Sequence, residues 1–195
     1  MKRLFLCLMA MVLLLSGCVS REPAEQDATV PTTQSVGAFP GLGGTMPEMT
    51  FTTADGRTMT LSALLEEKEL VVLNYWFEDC PWCIREFSVL ELAYQKHRNA
   101  VEVVALNPAD GAAKVQAYQQ KSGLSFPLVA CPRAWAMEAG VSAYPTSIFI
   151  DRDGVVCLIH VGAITTQEAW NSLFDAFTGD DYQRKVYGSV SELLG

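Results

Sequence analysis

The 195-residue sequence has little positive charge: 14 lysines and arginines stand against 22 acidic residues, and the formal net charge is −8. Binding to nucleic acid needs a basic surface that neutralises phosphates, so this function class is excluded. Histidines are also scarce. His97 and His160 are the only two, and neither an HxxxH motif nor a second CxxC motif accompanies the single closely spaced cysteine pair, so the spacing typical of a four-ligand zinc site is missing. Half of the residues are apolar, which is enough for the core of about one domain.

Long apolar runs are missing except at the N terminus. Lys2 and Arg3 precede an apolar run from Leu4 to Leu15, which at about twelve residues is too short to span a bilayer of roughly 30 Å. This pattern predicts a secretory signal peptide over residues 1–17. The run ends in Leu-Ser-Gly before Cys18, which resembles the lipobox of bacterial lipoproteins and implies cleavage and lipidation at Cys18. The alternative is an ordinary signal peptide with a cysteine nearby.

The rest of the chain divides into three segments by composition. Residues 18–44 lack apolar periodicity and are rich in small and polar residues, which predicts a flexible tether behind the lipidated cysteine. Strand and helix patterns alternate over residues 45–178. Residues 179–195 form a C-terminal appendage, with one short helix capped by Ser189 and Glu192.

The pattern over residues 45–178 predicts an α/β fold: a mixed sheet covered by helices, with an N-terminal hairpin around Asp55-Gly56. Helix starts are assigned to Ser62 and to a capping box of Thr165 with Glu168. The predicted strands are 49–53, 57–61, 70–77, 101–106, 126–130, 146–151 and 155–161, and the predicted helices are 62–67, 81–98, 109–122, 133–139 and 165–177.

The chemistry is predicted at Cys80-Pro81-Trp82-Cys83, where a buried strand gives way to a helix. Pro81 fits the first helical position, and Cys80 then lies at the helix cap, near free N–H groups and the positive end of the helix dipole. That setting lowers the pKa of a thiol from about 8.5, and the thiolate is the nucleophile in disulfide exchange. Cys83, one turn later, is placed to resolve a mixed disulfide. The competing interpretations are a zinc site, a structural disulfide and a chance pair.

The residues around this pair resemble those of TlpA/ResA-like proteins of thioredoxin fold. The resemblance covers about residues 45–178 and is carried by two motifs in the same order: residues 73–87, LNYWFEDCPWCIREF, and residues 140–146, GVSAYPT. It implies a thioredoxin-like fold and an extracytoplasmic disulfide reductase, often membrane-tethered. It also implies that Pro145 is cis and lies against the cysteine pair, with Tyr144 and Trp82 flanking a groove for the substrate polypeptide.

The chain departs from this family at several positions. Glu78 and Asp79 precede Cys80, where they oppose the helix dipole and are expected to raise the pKa of the thiol. Asn74 stands where thioredoxins proper carry a buried acid. Glu86 matches a glutamate of the family pattern, and we expect a surface or supporting residue rather than a proton shuttle.

The remaining cysteines and the histidines are assigned no chemistry. Alternation places Cys157 on an apolar strand face, so we expect a buried core residue, whereas Cys131 lies in a loop. We favour unpaired thiols at both positions, and a disulfide between Cys131 and Cys157 remains the alternative. His97 and His160 are expected to be exposed polar residues that bind no metal.

Together these features predict an extracytoplasmic, membrane-anchored thiol–disulfide oxidoreductase that works without a bound cofactor. Its partners would be protein thiols and disulfides, among them apocytochrome c during cytochrome c maturation or another secreted protein, with a membrane thiol relay as electron donor. Family resemblance favours reduction as the direction. The alternatives are a thiol peroxidase of the same fold and a non-catalytic module that binds a metal or a partner protein.

Overall fold

A computed structural model of the chain describes residues 38–179 and 182–194. The predicted signal peptide, Cys18 and most of the predicted tether lie outside these described residues. Among the described helices, none has the length and apolar character needed to cross a membrane. The elements are, in chain order, β1 (Thr50–Thr52), β2 (Thr58–Thr60), α1 (Leu61–Glu67), β3 (Leu70–Tyr75), α2 (Pro81–His97), β4 (Val101–Asn107), α3 (Ala112–Ser122), β5 (Leu128–Ala130), α4 (Arg133–Glu138), β6 (Thr146–Asp151), β7 (Val156–Val161), α5 (Gln167–Phe177) and α6 (Val190–Leu194).

The central sheet has five strands in the order β5-β4-β3-β6-β7. All six residues of β3 are buried, because this strand has neighbours on both edges and packed side chains on both faces. Leu70 pairs with Val101 of the parallel strand β4 and with Asp151 of the antiparallel strand β6. The predicted mixed sheet with helices packed against it is confirmed.

Successive residues of β3 point to opposite faces of the sheet, and each face carries its own apolar cluster. Leu70 and Val72 belong to the cluster that includes residues of α2 and α5, whereas Val71 and Leu73 belong to the cluster that includes residues of α1 and α4. Asn74 lies two residues after Val72 and therefore points to the same face of the sheet as Val72. A polar side chain therefore lies beneath α2, the helix that starts at the cysteine pair.

The N-terminal hairpin is also confirmed, as a separate antiparallel pair of β1 and β2. Its turn contains Gly56 at φ +86°, a conformation that residues with a side chain rarely adopt. The Asp55 carboxylate accepts hydrogen bonds from the Thr53 hydroxyl and, at 2.9 Å, from Arg57 Nε. These side chains close the turn that the Asp-Gly sequence predicts.

Two helix caps differ from the predicted ones by one or two residues. Thr60, rather than Ser62, caps α1, since its hydroxyl accepts a hydrogen bond of 3.3 Å from a first-turn N–H. Thr166, rather than Thr165, caps α5 in the same way at 3.2 Å. Neighbouring hydroxyl residues have the same intrinsic capping ability, so the sequence does not separate them.

The start of α3 differs most from the prediction. The Asn107 side-chain oxygen accepts hydrogen bonds from the N–H groups of residues 109 and 110, at 3.0 and 2.8 Å. The chain is thereby held in a turn and becomes helical only at Ala112. The predicted Ser189 cap of the last helix is confirmed, because its hydroxyl accepts a 3.1 Å bond from the Glu192 N–H.

Both ends of the described chain are bonded to strand β7 or to the turn before it. Gly43 donates to the carbonyl of Val156 at 2.8 Å, slightly before the predicted domain boundary at residue 45. Near the other end, Tyr187 donates to the carbonyl of Cys157 at 2.9 Å, and Arg184 binds the buried carboxylate of Asp151 at 2.7 Å. The described part of the predicted appendage therefore packs on the fold through backbone and charged contacts.

Candidate active site

Cys80 and Cys83 are joined by a disulfide at the start of α2, with their Cα atoms 5.3 Å apart. Cys80 is the N-cap of this helix, and its Sγ accepts a hydrogen bond of 3.2 Å from the Cys83 N–H. Pro81 follows in the first turn, where its missing N–H removes no intrahelical bond. Cys80 is 4% exposed and Cys83 is 0% exposed, so only the first cysteine of the pair retains contact with solvent.

Trp82, between the two cysteines, points into solvent and is 56% exposed. The Arg85 guanidinium lies 5.6 Å from the centre of the indole ring, within the range of a cation–π contact. An exposed indole beside a reactive pair offers apolar area to an incoming polypeptide.

Tyr144 and Pro145 lie beside the loop that leads to the cysteine pair. The peptide bond between them is cis, and Pro145 is buried. The Tyr144 ring packs edge-on against Phe77 with the ring centres 5.3 Å apart. The Pro145 carbonyl accepts a hydrogen bond from Gly162, whereas the described residues form no backbone hydrogen bond with the N–H or C=O of Tyr144.

Asn74 and Glu86 meet beneath α2, and both are 0% exposed. The Asn74 amide donates to Glu86 Oε2 at 3.1 Å and to the Ser147 hydroxyl at 2.9 Å, while the Ile164 N–H donates to Glu86 Oε1 at 2.9 Å. The Asn74 side-chain oxygen is buried without a partner among the described residues. The surface alternative for Glu86 is therefore wrong, and the supporting position beneath the helix is the observed one.

Burial raises the pKa of Glu86 to about 7, although hydrogen bonds from Ile164 and Asn74 favour its charged form. A sequence signal for this burial was present. Glu86 lies three residues after Cys83 and four before Leu90, so it falls on the apolar stripe of α2. The carboxyl is a group that changes protonation close to neutral pH within the core.

Five charged side chains lie together next to Cys80. Glu78 and Asp79 belong to the loop before it, and Asp110, Lys114 and Lys121 contact that loop. We call these five side chains the charge network. Lys114 Nζ lies 2.7 Å from Asp110, 3.4 Å from Asp79 and 3.5 Å from Glu78. Lys121 Nζ lies 2.6 Å from the other oxygen of Glu78. The two acids next to Cys80 are evident in the sequence, whereas the lysines that neutralise part of their charge come from α3.

Hydrogen bonds within this network change the ionisation of its members. Contacts with Lys121 and Lys114 hold the pKa of the Glu78 carboxyl below its ordinary value. Partial burial opposes ionisation of Asp110, but bonds from Lys114, the Glu78 N–H and Asn107 outweigh it, so its pKa is also lowered. The bond to Asp110 is the main cause that raises the pKa of Lys114. All three groups are thus charged at neutral pH.

Cys131 and Cys157 are free, as the favoured interpretation predicts. Cys157 is 0% exposed and its thiol donates to the Phe149 carbonyl at 3.3 Å. Burial raises the pKa of each thiol to about 12. Neither group is poised for exchange in the folded chain.

The expectation that both histidines are exposed is wrong. The His97 side chain is 10% exposed, with Nδ1 3.6 Å from Asp175 and Nε2 3.2 Å from the Asn171 side-chain oxygen. His160 is half-buried, and burial lowers its pKa. No group of three or more His, Cys, Asp or Glu side chains within the described ranges is arranged to hold a metal ion.

Comparison with protein families places this site in a known context. The family model described as Redoxin matches residues 42–173. The thiol-disulfide oxidoreductase ResA of Halalkalibacterium halodurans is 33% identical over 115 residues, which is 58% of this chain and 64% of that relative. The chain thus spans slightly less than two thirds of that protein's length. The thioredoxin-like protein YneN of Bacillus subtilis is 30% identical over 129 residues, covering 65% of this chain and 75% of YneN.

Comparison with solved structures gives the same fold. A thiol:disulfide interchange protein of the thioredoxin family from Chlorobium tepidum superposes with a TM-score of 0.62 at 21% identity. The superposition covers 70% of this chain and 97% of that one. At this identity the likeness establishes the thioredoxin-like architecture alone.

Proposed function

The chain belongs to the Redoxin family, and on that premise we propose that it is a thiol–disulfide oxidoreductase whose redox pair is Cys80 and Cys83. The observation that carries the proposal is the disulfide at the start of α2, in which Cys80 caps the helix and accepts the Cys83 N–H. A sulfur that accepts a backbone N–H at the positive end of a helix is stabilised as a thiolate once the pair is reduced.

The difference in exposure supports Cys80 as the attacking sulfur and Cys83 as the resolving one. Cys80 retains solvent contact and Cys83 has none, so the reduced Cys80 thiolate attacks a substrate disulfide. An S–S bond forms between Cys80 and one substrate sulfur, and the other substrate sulfur leaves as a thiolate. Cys83 then loses its proton and attacks Cys80, which releases the second substrate thiolate and restores the disulfide seen here. The substrate gains two electrons, and a dithiol donor returns two electrons to the pair.

The segment from Tyr144 to Pro145 and the Trp82 ring form the substrate surface. The Tyr144 backbone N–H and C=O are free of hydrogen bonds to the described residues, which supports pairing with an extended polypeptide. The exposed Trp82 indole supplies apolar contact on the α2 side. Asn74 on β3 donates to Glu86 on the buried face of α2, and both side chains are 0% exposed, so they support the site without contacting the substrate.

The role is extracytoplasmic and membrane-anchored, and disulfide reduction is its direction. The N-terminal pattern supports this part: a signal peptide over residues 1–17, lipidation at Cys18, a tether to residue 44, a catalytic domain over residues 45–178 and an appendage over residues 179–195. Its substrates are then secreted proteins with disulfides, apocytochrome c among them, and its donor is a membrane dithiol relay.

Two cysteine variants and one control test the activity. Full-length protein in detergent is reduced, freed of excess reductant and mixed with insulin as a disulfide substrate. Wild type releases two insulin thiols per protein. The Cys83→Ser variant stops at a mixed disulfide that peptide mass analysis places on Cys80, and the Cys80→Ser variant releases nothing. Cys131→Ser, the same change at a free cysteine, retains the wild-type rate.

Failure of wild type to reduce insulin overturns the reductase proposal. A peroxide assay separates the remaining alternative of the same fold. Reduced wild type is expected to consume hydrogen peroxide no faster than a dithiothreitol blank, since Glu78 and Asp79 place negative charge next to Cys80. Rapid consumption that depends on Cys80 assigns the chain to the thiol peroxidases instead.

A further inference from the structure

We propose that Lys114 is a positioning residue for Cys80: its ammonium holds the loop before Cys80 and offsets the negative charge that this loop brings to the sulfur. The inference rests on the proposed function, in which the Cys80 thiolate is the nucleophile. Nothing in the sequence near Cys80 identifies Lys114, which lies 34 positions later in the chain, on α3.

Lys114 is the member of the charge network that reaches all three carboxylates. Its Nζ lies 3.4 Å from Asp79, the residue bonded directly to Cys80, and 3.5 Å from Glu78. Lys121 contacts Glu78 but has no ion pair with Asp79 within the described residues. Lys114 is therefore the α3 cation that forms an ion pair with Asp79, the residue adjacent to the nucleophile.

Asp110 ties this cation to the backbone of the same loop. One of its carboxylate oxygens accepts the Lys114 ammonium at 2.7 Å. The other accepts the Glu78 N–H at 2.8 Å and the Asn107 amide at 2.9 Å. The loop before Cys80 is thus held by the hydrogen bond from the Glu78 N–H to Asp110 and by the ion pairs of Lys114. Because Asp110 binds both, it links the position of the loop to the position of the cation.

The charge balance of the network is sensitive to a single cation. Three carboxylates and two ammonium groups give a net charge of −1 at neutral pH, and loss of the Lys114 charge makes it −2. Additional negative charge near a thiol disfavours the thiolate. The Lys114 and Asp79 side chains are 44% and 85% exposed, so the effect is screened by solvent and amounts to about half a pH unit for one charge.

Other titratable groups lie on the elements around the pair and are the same in every variant compared. Arg85 and Glu86 lie on α2 itself. Tyr144, in the segment that leads into β6, interacts with Cys131 at the end of β5 and with Arg133 on α4. Their contribution to Cys80 cancels in a comparison of Lys114 variants.

The test is the pH dependence of Cys80 alkylation in the reduced full-length protein. The rate of reaction with iodoacetamide is followed from pH 4 to 10, and peptide mass analysis isolates the signal of Cys80. Lys114→Gln is expected to raise the pKa of Cys80 by about 0.5 units, and Lys114→Arg to retain the wild-type value. Asp79→Asn, at a side chain that is 85% exposed, is expected to lower it by a similar amount.

A distant charge provides the matched control. Lys96 is exposed near the end of α2, about 24 Å along the helix from Cys80 and well beyond the Debye length of about 8 Å. Lys96→Gln removes the same charge and is expected to leave the pKa of Cys80 unchanged. The Asp79→Asn, Lys114→Gln double variant restores a network charge of −1 and is expected to return the pKa toward wild type.

Three results overturn the proposal: a Lys114→Gln variant with the wild-type pKa, an equal shift in Lys96→Gln, or a double variant as far shifted as Lys114→Gln alone. If Lys114→Gln does not fold, Lys114→Met, which also removes the charge but keeps most of the apolar stem, takes its place with the same expected shift and the same contradicting result. High salt supplies a further check, since 1 M NaCl shortens screening to about 3 Å and must shrink each shift. Failure of the proposed function has a different signature, namely a wild type that titrates normally but reduces no insulin.

Discussion

Cys80 and Cys157 are almost equally buried, at 4% and 0% exposed, yet they lie in opposite hydrogen-bonding environments. The Cys80 sulfur accepts an N–H at the start of α2. The Cys157 thiol donates to the Phe149 carbonyl in the middle of the sheet. A sulfur that accepts an N–H at the start of a helix is stabilised as a thiolate. A thiol that donates its S–H to a carbonyl is stabilised in its protonated form. At nearly equal exposure, the hydrogen-bond partner of each sulfur and the apolar packing around it separate the reactive cysteine from the core residue.

The largest expected effect is on disulfide exchange. Cys80→Ser removes the nucleophile, so insulin reduction should fall to the rate of the buffer blank, a loss of at least about 10⁴-fold. Cys157→Ala should retain the rate within about twofold. If a folded Cys157→Ala variant also lost most of its exchange activity, Cys157 would be needed for the reaction, and its assignment as a core residue without chemistry would be wrong.

The second effect is on the reactivity of the thiols themselves. Burial raises the pKa of Cys157 to about 12, so at pH 7.5 the reduced protein should be alkylated by iodoacetamide at Cys80 at least about 1,000-fold faster than at Cys157. Peptide mass analysis measures both rates in one sample. In 6 M guanidinium chloride the rates should become equal, and a ratio that persists there would mean that the fold is not its cause.

The third effect concerns the buried carboxyl group of Glu86. The pKa of Glu86 is about 7 in the folded chain and close to 4.5 when unfolded, so the unfolded state binds fewer protons between these values. The contribution of Glu86 to the free energy of unfolding should therefore fall by about 2–3 kcal/mol as the pH rises from 4.5 to 7.5.

The Glu86→Gln variant supplies the control for this pH dependence. Its uncharged amide can still accept the Ile164 N–H, so its unfolding free energy, measured with urea, should lack this component. An unchanged pH dependence in the variant would show that Glu86 does not titrate in the fold.

The smallest effect is on stability at Cys157. Cys157→Ala removes the thiol bond to Phe149 and leaves a small cavity, with an expected cost of about 1–2 kcal/mol in urea unfolding. Cys131→Ala, at a partly buried thiol, should cost less. The reverse order would mean that the contacts of Cys157 contribute little to the core.

Much of the fold follows from local patterns in the sequence. The apolar residues of β3 and the Asp55-Gly56 turn specify a buried central strand and a hairpin, because their signals lie within a few residues. The cysteine pair follows from the same local logic, since Pro81 can begin a helix but not continue one. Helix caps are harder to predict, because Thr165 and Thr166 differ only in tertiary context.

The parts of the site that the sequence left open depend on contacts between distant residues. Lys114 and Lys121 approach Glu78 only because β4 runs parallel to β3 and places α3 beside α2's first turn. The burial of Glu86 had a signal in its helical spacing. Its partner Ile164 lies 78 residues away, and no local pattern links the two.

The central claim is that Cys80 and Cys83 exchange two electrons with substrate thiols, and a redox titration tests it most directly. Full-length protein is equilibrated in a series of dithiothreitol and glutathione buffers, alkylated and analysed by peptide mass. We predict one two-electron transition confined to Cys80 and Cys83, at a reduction potential of about −300 mV, as expected of a reductant. A pair that does not change state across the series, or a transition at Cys131 and Cys157 instead, would contradict it.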